Sequence, residues 1–344
     1  MQLAEASERK RGLSPRLTDE VEIRSLKEII VVGRQPPPIT GENLCKRKIV
    51  ESFRTLGFSV CDRGRYEFRS LVVQRHDVWI LPGFKTLSVA RDLLLIRLWL
   101  ASRNRVFIYI HNRFWKSILD HKHMLGWLRR PEVVFVVLTR RICQELRDAG
   151  FSAVVLANTL TDMKEIPQTL CRKAKRLLWF GVTTREKGFP KAYETFDLLQ
   201  QLDSEWRFDV YGRGECFERR GDFPLAQFHG FVDSSEKPRI FAEGGVFIFP
   251  SEYINETQPM VVMEAMACGM PVVASNIGGI PEMLETNGGI CGFTLATESP
   301  TASYKDAILQ CWQEYDRMSL NSRRIFTEKF NEPQWINTLR QIVG

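Results

Sequence analysis

The eight cysteines, at positions 45, 61, 143, 171, 216, 268, 291 and 311, form no CxxC pair, and no histidine cluster stands beside them. That argues against a zinc site and a disulfide framework, and it suits a reducing cytosol. No apolar core follows the charged opening residues MQLAEASERKRGLSPRLTDE, so no secretory leader is expected. The most apolar run, Leu93 to Ala101, is broken by Arg97 and falls far short of the roughly 20 residues of a membrane span. No Gly-x-Gly-x-x-Gly fingerprint and no internal repeat of fixed period occur. Acidic residues are the scarcer sign, 41 against 48 basic ones, giving a net charge of +7 and a pI near 9.0. Such a surplus fits nucleic acid, an anionic membrane surface, a phosphorylated small molecule, or plain solubility. With no zinc finger, RNP motif or coherent basic helix in the chain, nucleic acid is not an expected partner.

What is present is the composition of a soluble globular protein, 44% hydrophobic and 26% charged over 344 residues. The length exceeds one ordinary core and predicts two domains. Residues 1–27 lack apolar periodicity and read as a flexible tail or a loosely docked helix. EIIVVG (Glu28 to Gly33) reads as a buried strand, followed by the proline-stiffened loop RQPPPITGEN and a helix over 43–56. A glycine between strand and helix can offer backbone N–H groups to phosphate, or simply make a tight connection. Strands follow at 77–82, 105–110 and 133–138, separated by helices over 86–101, 117–128 and 140–149. That alternation predicts a parallel sheet covered on both faces, with ligands beyond the carboxyl ends of its strands. His111 stands at such an end. The helices here interleave Trp, Phe and Leu with Arg, Lys and His, a pattern that suits an anionic bilayer as well as an ordinary core helix.

Periodicity lapses between 160 and 174 and then restarts, with strands at 176–181, 206–212, 225–230 and 245–250, in PVVAS and in GICGF. The expected architecture is therefore α/β, with two Rossmann-like parallel-sheet domains facing across a cleft. A tail spans 1–27, an acceptor-side domain 28–160, a linker 161–175 and a donor-binding domain 176–330. A final helix, 331–344, opened near Pro333, could cross back to the first domain.

The densest chemistry lies in FPSEYINETQPMVVMEAMACGMPVVASNIGGIPEML, from Phe249 to Leu284. Pro259 suits the first turn of a helix. The N–H groups of Met260 and Val261 then point out of the helix end toward a site favouring an anion. Glu264 would sit roughly 7–8 Å along the axis from that end, about the distance from a diphosphate to its ribose. A carboxylate among Val261, Val262, Met263, Ala265 and Met266 is costly to bury unpaired. Two ribose hydroxyls would satisfy it; so would an Arg or Lys partner. Glu256, eight positions earlier, lies on the far side of the phosphate position, or is a solvated loop charge.

This stretch resembles the donor-binding signature of family 4 glycosyltransferases, which have the GT-B fold. The two glutamates with seven residues between them, the EAMACGMPVVAS run and the GGIPE turn carry the resemblance. VYGRG (Val210 to Gly214), FHGFVD (Phe228 to Asp233) and PPPITGEN extend it upstream. It spans about 28–340 and is strong only after 176. The resemblance implies a retaining glycosyltransferase that uses a nucleotide-diphosphate sugar as donor and needs neither metal nor other cofactor. Glu264 would hold the ribose and Glu256 the transferred sugar. Lys187 would neutralise the leaving diphosphate, and His111 would approach the sugar from the first domain. Gly41, Gly212, Gly214, Phe231, Val232, Gln258, Met260 and Val261 would line the donor site. Two departures stand out. Val182 replaces the arginine common after the glycine equivalent to Gly181, with Arg185 as a candidate substitute; and Thr257-Gln258-Pro259 replaces a glycine-rich run.

The acceptor is expected to be a glycan or a lipid-linked glycan of cell-surface polysaccharide or glycolipid synthesis. The expected location is the cytoplasm, with peripheral attachment to the inner face of the membrane as an option. A nucleotide-sugar epimerase, or a nucleotide-sugar-binding subunit without turnover, fits the same residues.

Overall fold

The computed structural model describes residues 28–33, 41–64, 76–83, 86–160 and 166–344. The 1–27 tail, most of the proline loop and residues 161–165 of the 161–175 linker lie outside the described residues.

The first lobe begins with β1 (Glu28–Gly33), whose last five residues are buried, as a run of β-branched side chains in a sheet covered on both faces requires. It continues through α1 (Gly41–Thr55), β2 (Ser59–Gly64), β3 (Asp77–Ile80), α2 (Thr86–Ala101), β4 (Arg105–Ile110), α3 (Phe114–Asp120), β5 (Val133–Val137), α4 (Arg140–Asp148) and β6 (Ala153–Val155). The six strands are all parallel, in the order β2-β1-β3-β4-β5-β6. Helices α2, α3 and α4 pack one face around Ile96, Trp99, Phe114 and Leu146, while α1 covers the other around Phe53 and Trp79.

The second lobe runs β7 (Arg176–Phe180), α5 (Phe189–Leu202), β8 (Arg207–Tyr211), α6 (Glu215–Glu218), β9 (Ala226–Gly230), α7 (Lys237–Ala242), β10 (Val246–Phe249), α8 (Met260–Ala267), β11 (Val272–Ser275) and α9 (Ile280–Leu284). A short hairpin, β12 (Glu285–Thr286) and β13 (Gly289–Ile290), precedes β14 (Gly292–Leu295), α10 (Thr301–Gln313), α11 (Tyr315–Lys329) and α12 (Glu332–Val343). Its six-stranded parallel sheet has the order β14-β11-β10-β7-β8-β9. These are the two parallel-sheet Rossmann-like lobes that the alternation of strands and helices predicts.

Helix α12 belongs to the first lobe's packing. Asn331 caps it through Gln334 N–H at 2.8 Å, and Trp335, Leu339 and Val343 are buried against the face that α1 covers. Each such apolar side chain contributes about 1.5–3 kcal/mol relative to exposure. The chain thus crosses between lobes twice.

Three elements differ from the sequence reading. The helix expected over 117–128 starts earlier, where Asn112 Oδ1 accepts from Phe114 N–H at 2.9 Å, and ends at Asp120. His121 to Met124 are all exposed, so no apolar stripe continues it, and only a 3-10 turn re-forms at Gly126–Leu128. Strand β2 was not expected because SVCDRG carries Asp62 and Arg63, tolerable on a sheet edge. β6 is three residues long, too short to show a period.

Candidate active site

In each sheet the strand order reverses at one point, between β1 and β3 in the first and between β7 and β10 in the second. Open parallel sheets bind ligands in the crevice outside such a reversal. A cavity of about 410 Å³ lies there, lined by Phe180, Gly181 and Val182 from the end of β7 and Phe249 from the end of β10. Pro259 just before α8 and Met260, Val261 and Glu264 of α8 close it, with Lys187 from the β7–α5 loop, Lys237 from the start of α7 and Leu44 of α1 from the opposite lobe. The volume falls in the ~300–1,000 Å³ range of small-ligand sites.

Two lysine–glutamate pairs dominate its charge. Lys187 Nζ donates to Glu256 Oε2 at 2.5 Å, and Ser251 Oγ supports the same oxygen at 3.3 Å. Lys237 Nζ donates to Glu264 Oε1 at 2.8 Å. Each ammonium also faces a ring: Lys187 stands 4.3 Å from the Tyr253 centroid and Lys237 5.3 Å from that of Phe180. Glu264 is 2% exposed and Glu256 10%, so both carboxylates need partners, and a lysine supplies one in each case.

Backbone constraints create this geometry. Lys187 precedes Gly188, which caps α5 at φ +80° and sits so close to β10 that a Cβ would lie 1.9 Å from Pro250 O. Only glycine allows the β7–α5 loop to rest there, which brings Lys187 over Glu256. Gly278 does the same from behind, at φ +56°, where a Cβ would lie 2.3 Å from Glu256 O; Gly279 N–H then donates to Thr257 O at 2.6 Å. Pro259 stays extended at ψ 125°, and no side chain caps α8. The N–H groups of Met260 and Val261, at the open end of α8, therefore border the cavity ahead of the first helical hydrogen bond, Val262 N–H to Pro259 O at 3.2 Å.

The loop before α8 also fastens the lobes together. Gln258 Oε1 accepts from Asn158 N–H at 2.8 Å, its Nε2 donates to Leu138 O at 3.0 Å, and its main-chain oxygen accepts from Asn158 Nδ2 at 3.1 Å. Thr257 Oγ1 donates to His111 O at 2.9 Å. Glu282 accepts from Arg140 and Arg141 N–H at 2.8 and 2.9 Å, so a carboxylate of one lobe caps α4 of the other.

Of the sequence-derived candidates, Lys187, Glu256, Glu264, Met260 and Val261 meet around one cavity. Gly41 opens α1, one turn before the cavity residue Leu44. Val232 packs against the core beside α8, and Phe231 is 76% exposed. Gly212 and Gly214 shape the neighbouring loop instead of lining the cavity: a Cβ at Gly212 would meet Gly181 O at 1.9 Å. Three side chains are placed differently from the sequence reading. Gln258 spends its carboxamide on the opposite lobe. Arg185 does not line the cavity, and its main-chain N–H donates to Glu215 of α6 at 2.8 Å. His111 does not line the cavity either: its ring lies 4.0 Å from that of Tyr109, and its Nε2 is buried with no hydrogen-bond partner among the described residues.

Burial pushes the His111 imidazole down to about 3 from its ordinary 6.5. It is neutral at physiological pH, and the unfolded chain binds a proton between those values that the folded chain does not. The stability this contributes is complete above pH 6.5 and is lost as pH falls toward 3. A His111→Gln variant is expected to show a flatter melting temperature between pH 6.5 and 4.5 than the parent; parallel curves would refute the buried neutral state.

Lys237 is the site residue that sequence reasoning missed. It is the first residue of α7, ahead of Pro238. A cation in the first turn opposes the helix macrodipole, and that misplacement is the signal that could have drawn attention to it.

Residues 174–314 match the family profile described as "Glycosyl transferases group 1". Sulfoquinovosyl transferase SQD2 of Arabidopsis thaliana is 45% identical over 110 residues, which are 31% of this chain and 21% of that one. The O-antigen chain mannosyltransferase B of Escherichia coli is 36% identical over 117 residues, 31% of this chain and 30% of that one. The chain thus spans under a third of the length of either relative. Among solved structures, Anabaena Alr3699/HepE in complex with UDP and glucose superposes with a TM-score of 0.64 at 16% identity, covering 92% of this chain and 99% of that one.

Proposed function

We propose that the chain, whose residues 174–314 match the group 1 glycosyltransferase (family 4) profile, is a retaining transferase of a nucleotide-diphosphate-activated sugar. The observation that supports this best is the pair of lysine–glutamate couples around one cavity at the mouth of α8. On this reading the donor enters between the partners of each couple. Glu264 takes the ribose hydroxyls, and the first-turn N–H groups of α8 meet the diphosphate. Lys187 and Lys237 supply the positive charge that Val182 does not.

The chemistry follows from the charges. The bond between the anomeric carbon and the phosphate oxygen breaks, and the leaving diphosphate gains negative charge. A lysine and a helix N-terminus in a partly enclosed site stabilise that charge where it develops. The acceptor oxygen bonds to the anomeric carbon on the face the phosphate leaves, and its proton passes to a leaving phosphate oxygen. Glu256 orients the transferred sugar, and the main-chain oxygen of His111, accepting from Thr257, steadies the loop that carries Glu256. No residue is assigned to metal binding. The acceptor is a glycan or lipid-linked glycan, in line with the O-antigen mannosyltransferase likeness.

A thermal-shift panel of nucleotide-diphosphate sugars tests the donor half, because a ligand that binds only the folded state raises its apparent stability. One sugar nucleotide is expected to raise the melting temperature, and Glu264→Gln to weaken its affinity roughly tenfold or more, the worth of hydrogen bonds to a charged group. Unchanged affinity in Glu264→Gln would remove the ribose assignment. Product analysis without acceptor separates the alternatives, since an epimerase converts the donor alone.

A further inference from the structure

The first lobe carries a second surface that the donor site does not use. Helix α2 is apolar on both sides. One side buries Leu95, Ile96 and Trp99 in the core. The other presents Leu87, Leu94 and Leu98, which are 87%, 59% and 41% exposed. Spacings of seven and four residues put these three leucines on one stripe, and a helix apolar all round is ordinarily covered on every side.

The charge around this stripe is one-sided. Residues 86–130 hold nine arginines and lysines against two aspartates; of the nine, Arg105 pairs with Asp77 and turns to α12 on the other face of the sheet, leaving eight. One of the aspartates, Asp92, is buried and paired with Arg91. The segment after α3 lies alongside α2, because Arg97 of α2 sits 5.9 Å from the Trp127 ring. That segment exposes Lys122, Met124 (76%), Arg129 and Arg130. The stripe begins in the first turn of α2, which follows the carboxyl end of β3, the same end of the sheet at which His111 follows β4.

We infer that this face docks on an anionic bilayer, with the leucine stripe at the headgroup boundary and the basic side chains on lipid phosphates. Nucleic acid would meet the charge but leave the leucines in water; a bilayer satisfies both. No helix among the described residues is long and apolar enough to cross a membrane, so this contact is peripheral. It brings the cleft to the surface from which a lipid-linked acceptor would be drawn. The docking itself does not depend on the transfer reaction.

The test is co-sedimentation of the full chain with vesicles of phosphatidylcholine alone and of equal parts phosphatidylcholine and phosphatidylglycerol. Binding is expected only to the mixed vesicles and should weaken as salt is raised. Lys122→Gln with Arg130→Gln should lower affinity about fivefold per charge, and Leu94→Ser with Leu98→Ser should lower it while keeping the salt dependence. Unchanged melting temperatures would show that both double variants are folded. Retention on neutral vesicles, equal binding by the variants, or binding to polyuridylate without binding to vesicles would each overturn the inference. A chain that binds the mixed vesicles but shifts with no sugar nucleotide would keep the docking face and lose the transferase reading.

Discussion

Lys187→Met is expected to lower the rate of sugar transfer about 10²–10³-fold, the cost of removing one preorganised group from a site of developing charge. The side chain has two tasks. It neutralises Glu256 at 2.5 Å, and on the proposed reading it faces the departing diphosphate in turnover. The second interaction strengthens as the anomeric bond breaks, so the loss should fall on kcat and on kcat/KM together. Lys187→Arg keeps the charge and should recover part of the rate. Arg185→Ala should stay near the parent rate, because Arg185 does not line the cavity. Steady-state kinetics with the donor identified by thermal shift decides it. A Lys187→Met enzyme at parental speed, or a collapse in Arg185→Ala, would show that the cation is assigned to the wrong residue.

Arg176→Met is expected to destabilise the protein by about 3–5 kcal/mol, the usual cost of removing one partner of a buried ion pair. Arg176 is fully buried. Its Nε donates to Asp209, and its Nη1 donates to Ile240 O at 3.0 Å and to Gly244 O at 3.1 Å. His229 meets the other Asp209 oxygen at 2.9 Å. Burial pushes the Asp209 carboxyl up, but Arg176 and His229 outweigh it and hold it below the ordinary carboxylate range. The stability this pairing contributes is therefore present above the ordinary carboxylate pKa and is lost on acidification through the lowered one. Without Arg176, a carboxylate remains in the core between β7 and β8. Urea unfolding measures the loss, and adding Asp209→Asn should restore part of it. A loss below ~1 kcal/mol, the size of an exposed pair, would mean that water reaches Asp209.

The architecture was largely legible in the sequence because parallel sheets covered on both faces demand continuous apolar strands. EIIVVG, RVFIYI and VVFVVL show these without ambiguity. Where the demand relaxes, the signal fades. The edge strand β2 tolerates charge, and the region after Asp120 leaves four consecutive side chains in water, so a period assigned there is an accident of composition. The site was legible to the extent that its chemistry is local. Glu256, Pro259 and Glu264 lie within one loop and one helix, and the spacing along that helix is a consequence of its rise per residue.

The sequence by itself determined the two-sheet α/β plan, the helix that opens at Pro259, one residue ahead of its observed start, and the two carboxylates around its mouth, because each follows from hydrophobic period or local helix geometry. Tertiary structure alone decided which cation meets which carboxylate. Lys187 reaches Glu256 because Gly188 can lie against Pro250, and Lys237 reaches Glu264 although it starts a helix whose dipole opposes it. It also turned Gln258 toward the first lobe and tied the Arg185 main chain to α6. Those choices depend on contacts between segments tens of residues apart, where no periodicity in the chain carries the information.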